Sequence, residues 1–193
     1  MTPEAEVLVS VIQELERADV PYMVVGSFAS GLWGRPRATH DADIVVAMQP
    51  EFATVLAKAL TDRFYADEEF MRSAVYKRSM FNLIHFESGF KVDVWILDDT
   101  PYRQAAFARR RRVRLFAEEG VLSYVASAED TILSKLLWYQ QTNWQRDLLD
   151  AVGVYEVQQP TLDEVFLNEW AARLDLVDLL AQVRAEAALP PDA

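Results

Sequence analysis

Carboxylates dominate the residues of this 193-residue chain that could do chemistry. Asp41-Ala42-Asp43 opens the apolar run Ile44-Val45-Val46. Residues two apart on a strand share a face, so both carboxylates are expected side by side at one edge of a sheet. Paired like charges are unfavourable unless something positive stands between them. A divalent cation with a preference for hard oxygen is the natural counter-ion. Two solvated acids at a strand end are the plainer alternative, and the core-bound run that follows argues against it. Asp93 lies in the middle of Phe90-Lys91-Val92-Asp93-Val94-Trp95-Ile96-Leu97. An acid there needs a partner: Lys91 on the same face, an arginine elsewhere, or the ion held by Asp41 and Asp43.

Gly26-Ser27 follows an apolar run, Val20 to Val25, and precedes a short helical segment. A glycine at such a turn lets a ligand approach the backbone closely. The free N–H groups and dipole of a helix start suit a phosphate, and the Ser27 hydroxyl adds a donor. A turn glycine and a helix cap explain the same two residues. Arg35, Arg37 and Thr39 lie between that helix and the acids, where guanidinium groups can clamp a polyphosphate. Lys77 and Arg78 are further candidates for the same cleft, and Lys91 is placed to pair with Asp93 rather than to touch substrate. Arg109-Arg110-Arg111-Arg112 with Arg114 is the densest basic run; it can meet the phosphates of an RNA, although a solvated face or nearby acids account for most such runs. His40 and His85 read as a loop and a strand histidine, and the five tryptophans as core or interface.

The elements that must position these groups follow from pattern. Thr2-Pro3-Glu4 starts a helix that continues through Val7, Leu8, Val11, Ile12 and Leu15 at helical spacing. Strands are expected over Val20–Val25, Asp41–Val46, Ala74–Phe86 and Phe90–Leu97, the last two as a hairpin across Glu87-Ser88-Gly89. One or two short strands are expected around Glu119-Gly120. Helices are expected up to about Trp33, from Pro50, over Pro101–Arg110, and after Ser127-Ala128-Glu129-Asp130, which fits a capping box. Asn143–Val157 and Leu162–Ala188 read as further helices. The fold class is therefore α+β: a mixed β-sheet flanked by helices over 1–126, then a helical part over 127–193 packing against it.

Composition sets the bounds. Hydrophobic residues are 51% and charged residues 25%, as in a globular chain. There is no cysteine, which excludes disulfides, thiolate nucleophiles and Cys-based zinc sites. The net charge is −11, so nucleic acid is not attracted globally. The first 126 residues carry 15 basic and 18 acidic side chains, and the remainder 4 and 12, which leaves room for a phosphate site in the first part alone. No apolar run spans a bilayer and no signal-peptide pattern opens the chain; a soluble, cytoplasmic protein is expected.

Glycine-serine at a strand-to-helix turn, an Asp-x-Asp pair on the next strand and a third aspartate on a later one together resemble the nucleotidyltransferase superfamily that includes polymerase β. The stretches Val25-Gly26-Ser27-Phe28-Ala29-Ser30, Gly34-Arg35-Pro36-Arg37-Ala38-Thr39-His40-Asp41, Ala128-Glu129-Asp130-Thr131-Ile132-Leu133-Ser134-Lys135-Leu136 and Arg146-Asp147-Leu148-Leu149-Asp150 look like those of small prokaryotic nucleotidyltransferase-like proteins related to abortive-infection toxins of the AbiEii type. The likeness covers roughly 20–155. Ala42 departs from the larger apolar residue usual there. The resemblance implies that Asp41 and Asp43 bind two magnesium ions, with Asp93 completing the metal site. It implies that Gly26 and Ser27 hold the β- and γ-phosphates of a nucleoside triphosphate such as ATP, helped by Arg37 and Thr39. It also assigns Lys135 and Asp147 to the nucleotide, against an exposed lysine and a local Arg146–Asp150 pair as structural alternatives. The expected activity is magnesium-dependent transfer of a nucleoside monophosphate to a hydroxyl. A tRNA end, a protein side chain and a small cationic molecule all fit as acceptor, with a toxin role among the implications. The rival reading is a non-catalytic nucleotide-binding or interaction module with an antitoxin-like partner.

Overall fold

In a computed structural model, residues 2–116 and 121–189 are described. Glu119-Gly120, around which one or two short strands are expected, lie outside them. The chain divides into two compact units, Met1–Val25 with Ala38–Val125, and Gly26–Arg37 with Ala126–Ala193.

The first unit is built on a seven-stranded mixed sheet. Its strands are β1 (Tyr22–Val25), β2 (Asp41–Val46), β3 (Phe64–Tyr65), β4 (Met80–His85), β5 (Lys91–Ile96), β6 (Arg111–Arg114) and β7 (Leu122–Val125), in the order β3-β4-β5-β2-β1-β7-β6. Strands β2 and β5 run parallel at the centre, each with an antiparallel neighbour, β1 and β4. Strict alternation divides the central strands. Ala42, Ile44, Val46, Val92, Val94, Phe81 and Leu83 form one fully buried face. Asp41, Asp43, Lys91, Asp93 and Asn82 belong to the other by register. Burying a Leu, Ile or Phe stabilises by roughly 1.5–3 kcal/mol, whereas an exposed ion pair contributes about 0–1 kcal/mol. The apolar face therefore holds the fold, and the polar row is available for something else.

Three helices of this unit supply apolar partners: α1 (Pro3–Arg17), α3 (Pro50–Leu60) and α4 (Glu68–Lys77). The Thr2 side chain accepts from the Ala5 amide and caps α1, whose Leu8, Val11, Ile12 and Leu15 are fully buried. Helix α3 lies against both α1 and α4. The strand expected from Ala74 begins only at Met80. Ala74–Lys77 instead close α4, capped by Asp67, whose carboxylate accepts from the Phe70 amide. Met71, Ala74 and Val75 are its buried stripe, and Arg78 at φ 48° ends it. The Glu87–Gly89 hairpin forms as expected, with Gly89 at φ 67°.

A further helix, α5 (Pro101–Ala108), precedes edge strand β6. Arginines on an edge discourage pairing with another chain. Two of the basic run also stack on rings, Arg110 over Phe107 (4.3 Å) and Tyr124 (4.9 Å), and Arg112 over Tyr124 (5.8 Å).

The second unit is helical: α2 (Gly26–Trp33), α6 (Ala128–Thr142), α7 (Gln145–Gln158), α8 (Glu164–Arg173) and α9 (Val177–Ala187). Ser127 caps α6, its side-chain oxygen accepting from the Asp130 amide as in a capping box, and its hydroxyl also donates to the Asp130 carboxylate. Asn143 at φ 57° ends α6 and folds the chain back into α7. The single helical stretch expected over Leu162–Ala188 is broken at Asp175, φ 59°. Helix α2 packs on α6 and α7. Just after it, a Cβ on Gly34 would stand 2.7 Å from the Val154 amide nitrogen, so α7 approaches that backbone as only glycine allows. Among the described residues, no helix is long and apolar enough to cross a membrane.

Candidate functional site

The first group of candidate residues lies on the face of the sheet opposite the apolar one. Parallel pairing sets Asp41 beside Lys91 and Asp43 beside Asp93, and antiparallel pairing sets Asn82 opposite Asp93. Neighbouring strands are about 4.8 Å apart, so Asp43 and Asp93 would repel each other without compensation. Each acid has a partner. Thr39 Oγ1 donates to Asp41 Oδ1 (3.1 Å), and Trp95 Nε1 donates to Asp43 Oδ1 (3.2 Å). Asp93 receives the Asn82 side-chain amide at Oδ1 and the Lys91 ammonium at Oδ2, the latter at 2.8 Å. The hydrogen bond to Asp93 raises the Lys91 pKa, burial opposes it, and the charges of Asp93, Asp41 and Asp43 all add to the rise. One ammonium thus stands in the field of all three carboxylates. Ala42 faces the core, fully buried.

This donor set suits a hard divalent cation in kind, because three carboxylates on two adjacent strands offer oxygen ligands. It is not a finished cage. Among the described residues, no three His, Cys, Asp or Glu side chains are gathered so as to hold a metal ion, and Asp93 is engaged by Lys91 and Asn82. Of the two partners that the sequence offered Asp93, the structure shows the lysine.

The second group belongs to the helical unit. Gly26, at φ 62°, begins α2 in a left-handed conformation that costs glycine little. The Arg37 guanidinium grips Asp150 with two parallel bonds, Nε to Oδ1 (2.8 Å) and Nη2 to Oδ2 (2.7 Å), and donates from Nη2 to Ser27 Oγ (2.8 Å). Ser30 Oγ donates to Asp150 Oδ2 as well (3.2 Å). Lys135 Nζ lies 2.8 Å from both Asp147 and Asp150. Burial works to raise the Asp150 pKa, but the Arg37 hydrogen bond and the Lys135 charge outweigh it and hold the carboxyl below its ordinary range. Two cations and two anions therefore form one balanced network that includes the Ser27 hydroxyl.

Several expectations change here. Asp150 does not pair with Arg146, which lies over the Trp144 ring (6.0 Å); Arg37, 113 residues away, takes that place. Lys135 is not an exposed lysine: its side chain is 6% accessible. Arg35 pairs with Glu156 on the surface, and Arg78 with Asp99 and the Leu97 carbonyl. The residues that sequence reasoning missed are Asn82, Ser30 and the structural part of Asp150. Asp150 alone had a readable signal, because it falls on the helix face of Asp147 one turn on.

No protein-family model matches the chain, and no curated protein matches it in sequence. Solved structures do match. A nucleotidyltransferase-like antigenic protein from Paracoccidioides brasiliensis aligns with TM-score 0.55 at 17% identity, over 94% of this chain and 92% of that one. The antibiotic-resistance factor ANT(2'')-Ia, in its solution structure, aligns with TM-score 0.52 at 15% identity, over 93% and 97%. The likeness is one of fold: the chain has an α+β, nucleotidyltransferase-like architecture with a mixed sheet.

Proposed function

We propose that the chain is a magnesium-dependent nucleotidyltransferase that moves a nucleoside monophosphate from a nucleoside triphosphate to an acceptor hydroxyl and releases pyrophosphate. The observation that carries this reading is the register of β2 and β5, which sets Asp41, Asp43 and Asp93 on one face of a sheet of this architecture. Asp41 and Asp43 hold the metal and Asp93 joins them. Bound there, magnesium supplies charge neutralisation to the entering and leaving oxygens of an in-line displacement. The chain's own residues bind and orient. Gly26 and Ser27 receive the β- and γ-phosphates at the start of α2. Arg37, fixed by Asp150, keeps its guanidinium on Ser27 and adds positive charge for the triphosphate. Thr39 orients Asp41.

For the acceptor, a small cationic molecule is favoured by the net charge of −11. Likeness of fold to an antibiotic-resistance factor points the same way. The basic run Arg109–Arg112 favours RNA less, because Arg110 and Arg112 are stacked on aromatic rings. A second reading, a nucleotide-binding module without turnover that works with a protein partner, is favoured by the engagement of both Asp93 oxygens.

Labelled nucleoside triphosphates with magnesium and panels of aminoglycosides, tRNA and proteins test the reading. Transfer is expected, with Asp41→Asn and Asp43→Asn each reducing it by at least about 10²-fold while melting as the wild type does. Nucleotide binding without transfer to any acceptor supports the second reading, and full activity in the double variant refutes the first.

A further inference from the structure

Lys91 opens β5, stands beside Asp41 in register and precedes Asp93 by two residues on the same face. Its ammonium sits 2.8 Å from Asp93 Oδ2, and the charges of Asp41 and Asp43 act on it as well. Asp93, the acid proposed to complete the metal site, is therefore already served by a cation that belongs to the chain. The two partners differ in freedom. The Lys91 side chain is 40% exposed, while Asp93 is 12% exposed and further fixed by Asn82. A lysine with its head in water can swing away on its flexible stem; the buried carboxylate stays where it is.

We propose that Lys91 is the resident counter-cation of the acid row and exchanges with the divalent ion. In the metal-free protein it cancels the repulsion between Asp93 and Asp43 and keeps Asp93 in its place. When an ion lies on Asp41 and Asp43 and takes Asp93 as a further donor, Lys91 leaves that carboxylate for solvent. Lys91 is thus a positioning residue that competes with metal, and it tunes affinity without being a ligand. The inference rests on the metal reading given above.

Calorimetric titration of the full chain with Mn²⁺, without nucleotide, tests it. The variants are Lys91→Met, Lys91→Arg and Asp41→Asn/Asp43→Asn, and metal-free melting checks each fold. Removing a monovalent competitor that also repels the incoming ion should tighten Mn²⁺ binding on the order of tenfold in Lys91→Met. Lys91→Arg keeps the charge and should stay within about twofold of wild type. Lys91→Gln replaces Lys91→Met if the latter does not fold. Equal or weaker binding in the neutral variant overturns the exchange and leaves the metal site standing. Binding that persists unchanged in the double aspartate variant, or fails in wild type and Lys91→Met alike, overturns the metal reading and the exchange with it.

Discussion

Replacing Lys135 by methionine separates a structural from a ligand-binding lysine. The side chain is 6% exposed and bridges Asp147 and Asp150, themselves 14% and 7% exposed. Methionine fills similar volume, so the loss is one of charge. Asp150 would then keep Arg37 alone, and Asp147 would lose its ammonium partner. Removing one member of a buried pair costs about 3–5 kcal/mol. The low end applies here, because Arg37 still holds Asp150 and Asp147 can turn toward water. About 3 kcal/mol in a chain of this size lowers the melting temperature by about 6–12 °C. Since the network holds two charges of each sign, Lys135→Met with Asp147→Asn restores the balance and should recover all but about 1 kcal/mol. Urea unfolding of the wild type, both single variants and the double variant gives the coupling directly. A loss below about 1 kcal/mol in Lys135→Met, with no coupling to Asp147, would refute the reasoning and return Lys135 to the nucleotide.

Two more consequences follow from the same unit. Asp150 has a depressed folded pKa because Arg37 and Lys135 overcome its burial, so its contribution is complete above the unfolded value of about 3.9 and is lost as pH falls through the folded one. Urea midpoints measured between pH 6 and pH 3 should fall on acidification in the wild type and fall less in Asp150→Asn; parallel slopes would show that the depressed pKa is not linked to folding. Gly34→Ala drives a Cβ against the backbone of Gly153 and Val154, atoms that cannot swing aside, and should cost about 1–3 kcal/mol. Gly31→Ala meets only Pro36 Cα at ordinary contact distance and should be neutral or stabilising through helix propensity; thermal melting of the pair decides it.

What could be read from sequence was what local rules govern. The β-branched runs gave β1, β2 and β5, and Thr2, Pro50, Pro101 and Ser127 marked helix starts where α1, α3, α5 and α6 begin. Helix α4 escapes the pattern because Ala74-Val75-Tyr76 reads as a short apolar strand-like run, which hides the Met71, Ala74, Val75 stripe. Strand β3 has only two residues, too short for any alternation to show. The break between α8 and α9 rests on Asp175 in a left-handed conformation, with no glycine or proline to signal it. In the site, alternation sufficed to place Asp41 and Asp43 together. Setting Asp93 next to Asp43 required the strand order, and pairing Arg37 with Asp150 required a contact across 113 residues. Neither is written in any local pattern.

Burial separates the ion pairs that can make way for a ligand from those that only support one. Asp93 in one unit and Asp147 and Asp150 in the other are each paired with a cation of the chain, which is how a chain keeps clustered acids tolerable. An ion pair worth about 0–1 kcal/mol at the surface gives way readily to a divalent ion; one closed off from water does not, because its partner would be left uncompensated. Lys91, at 40% exposure, belongs to the first kind, and Lys135, at 6%, to the second. Arg37 lies between them at 25%: its Nε and one Nη are fixed on Asp150, while its bond to Ser27 joins two groups proposed for the phosphates. On the proposed reading, a triphosphate oxygen would take the place of the Ser27 hydroxyl on that guanidinium while the two bonds to Asp150 stay. Lys135, bridging Asp147 and Asp150, stands one step further back and keeps Asp150, and through it Arg37, in position.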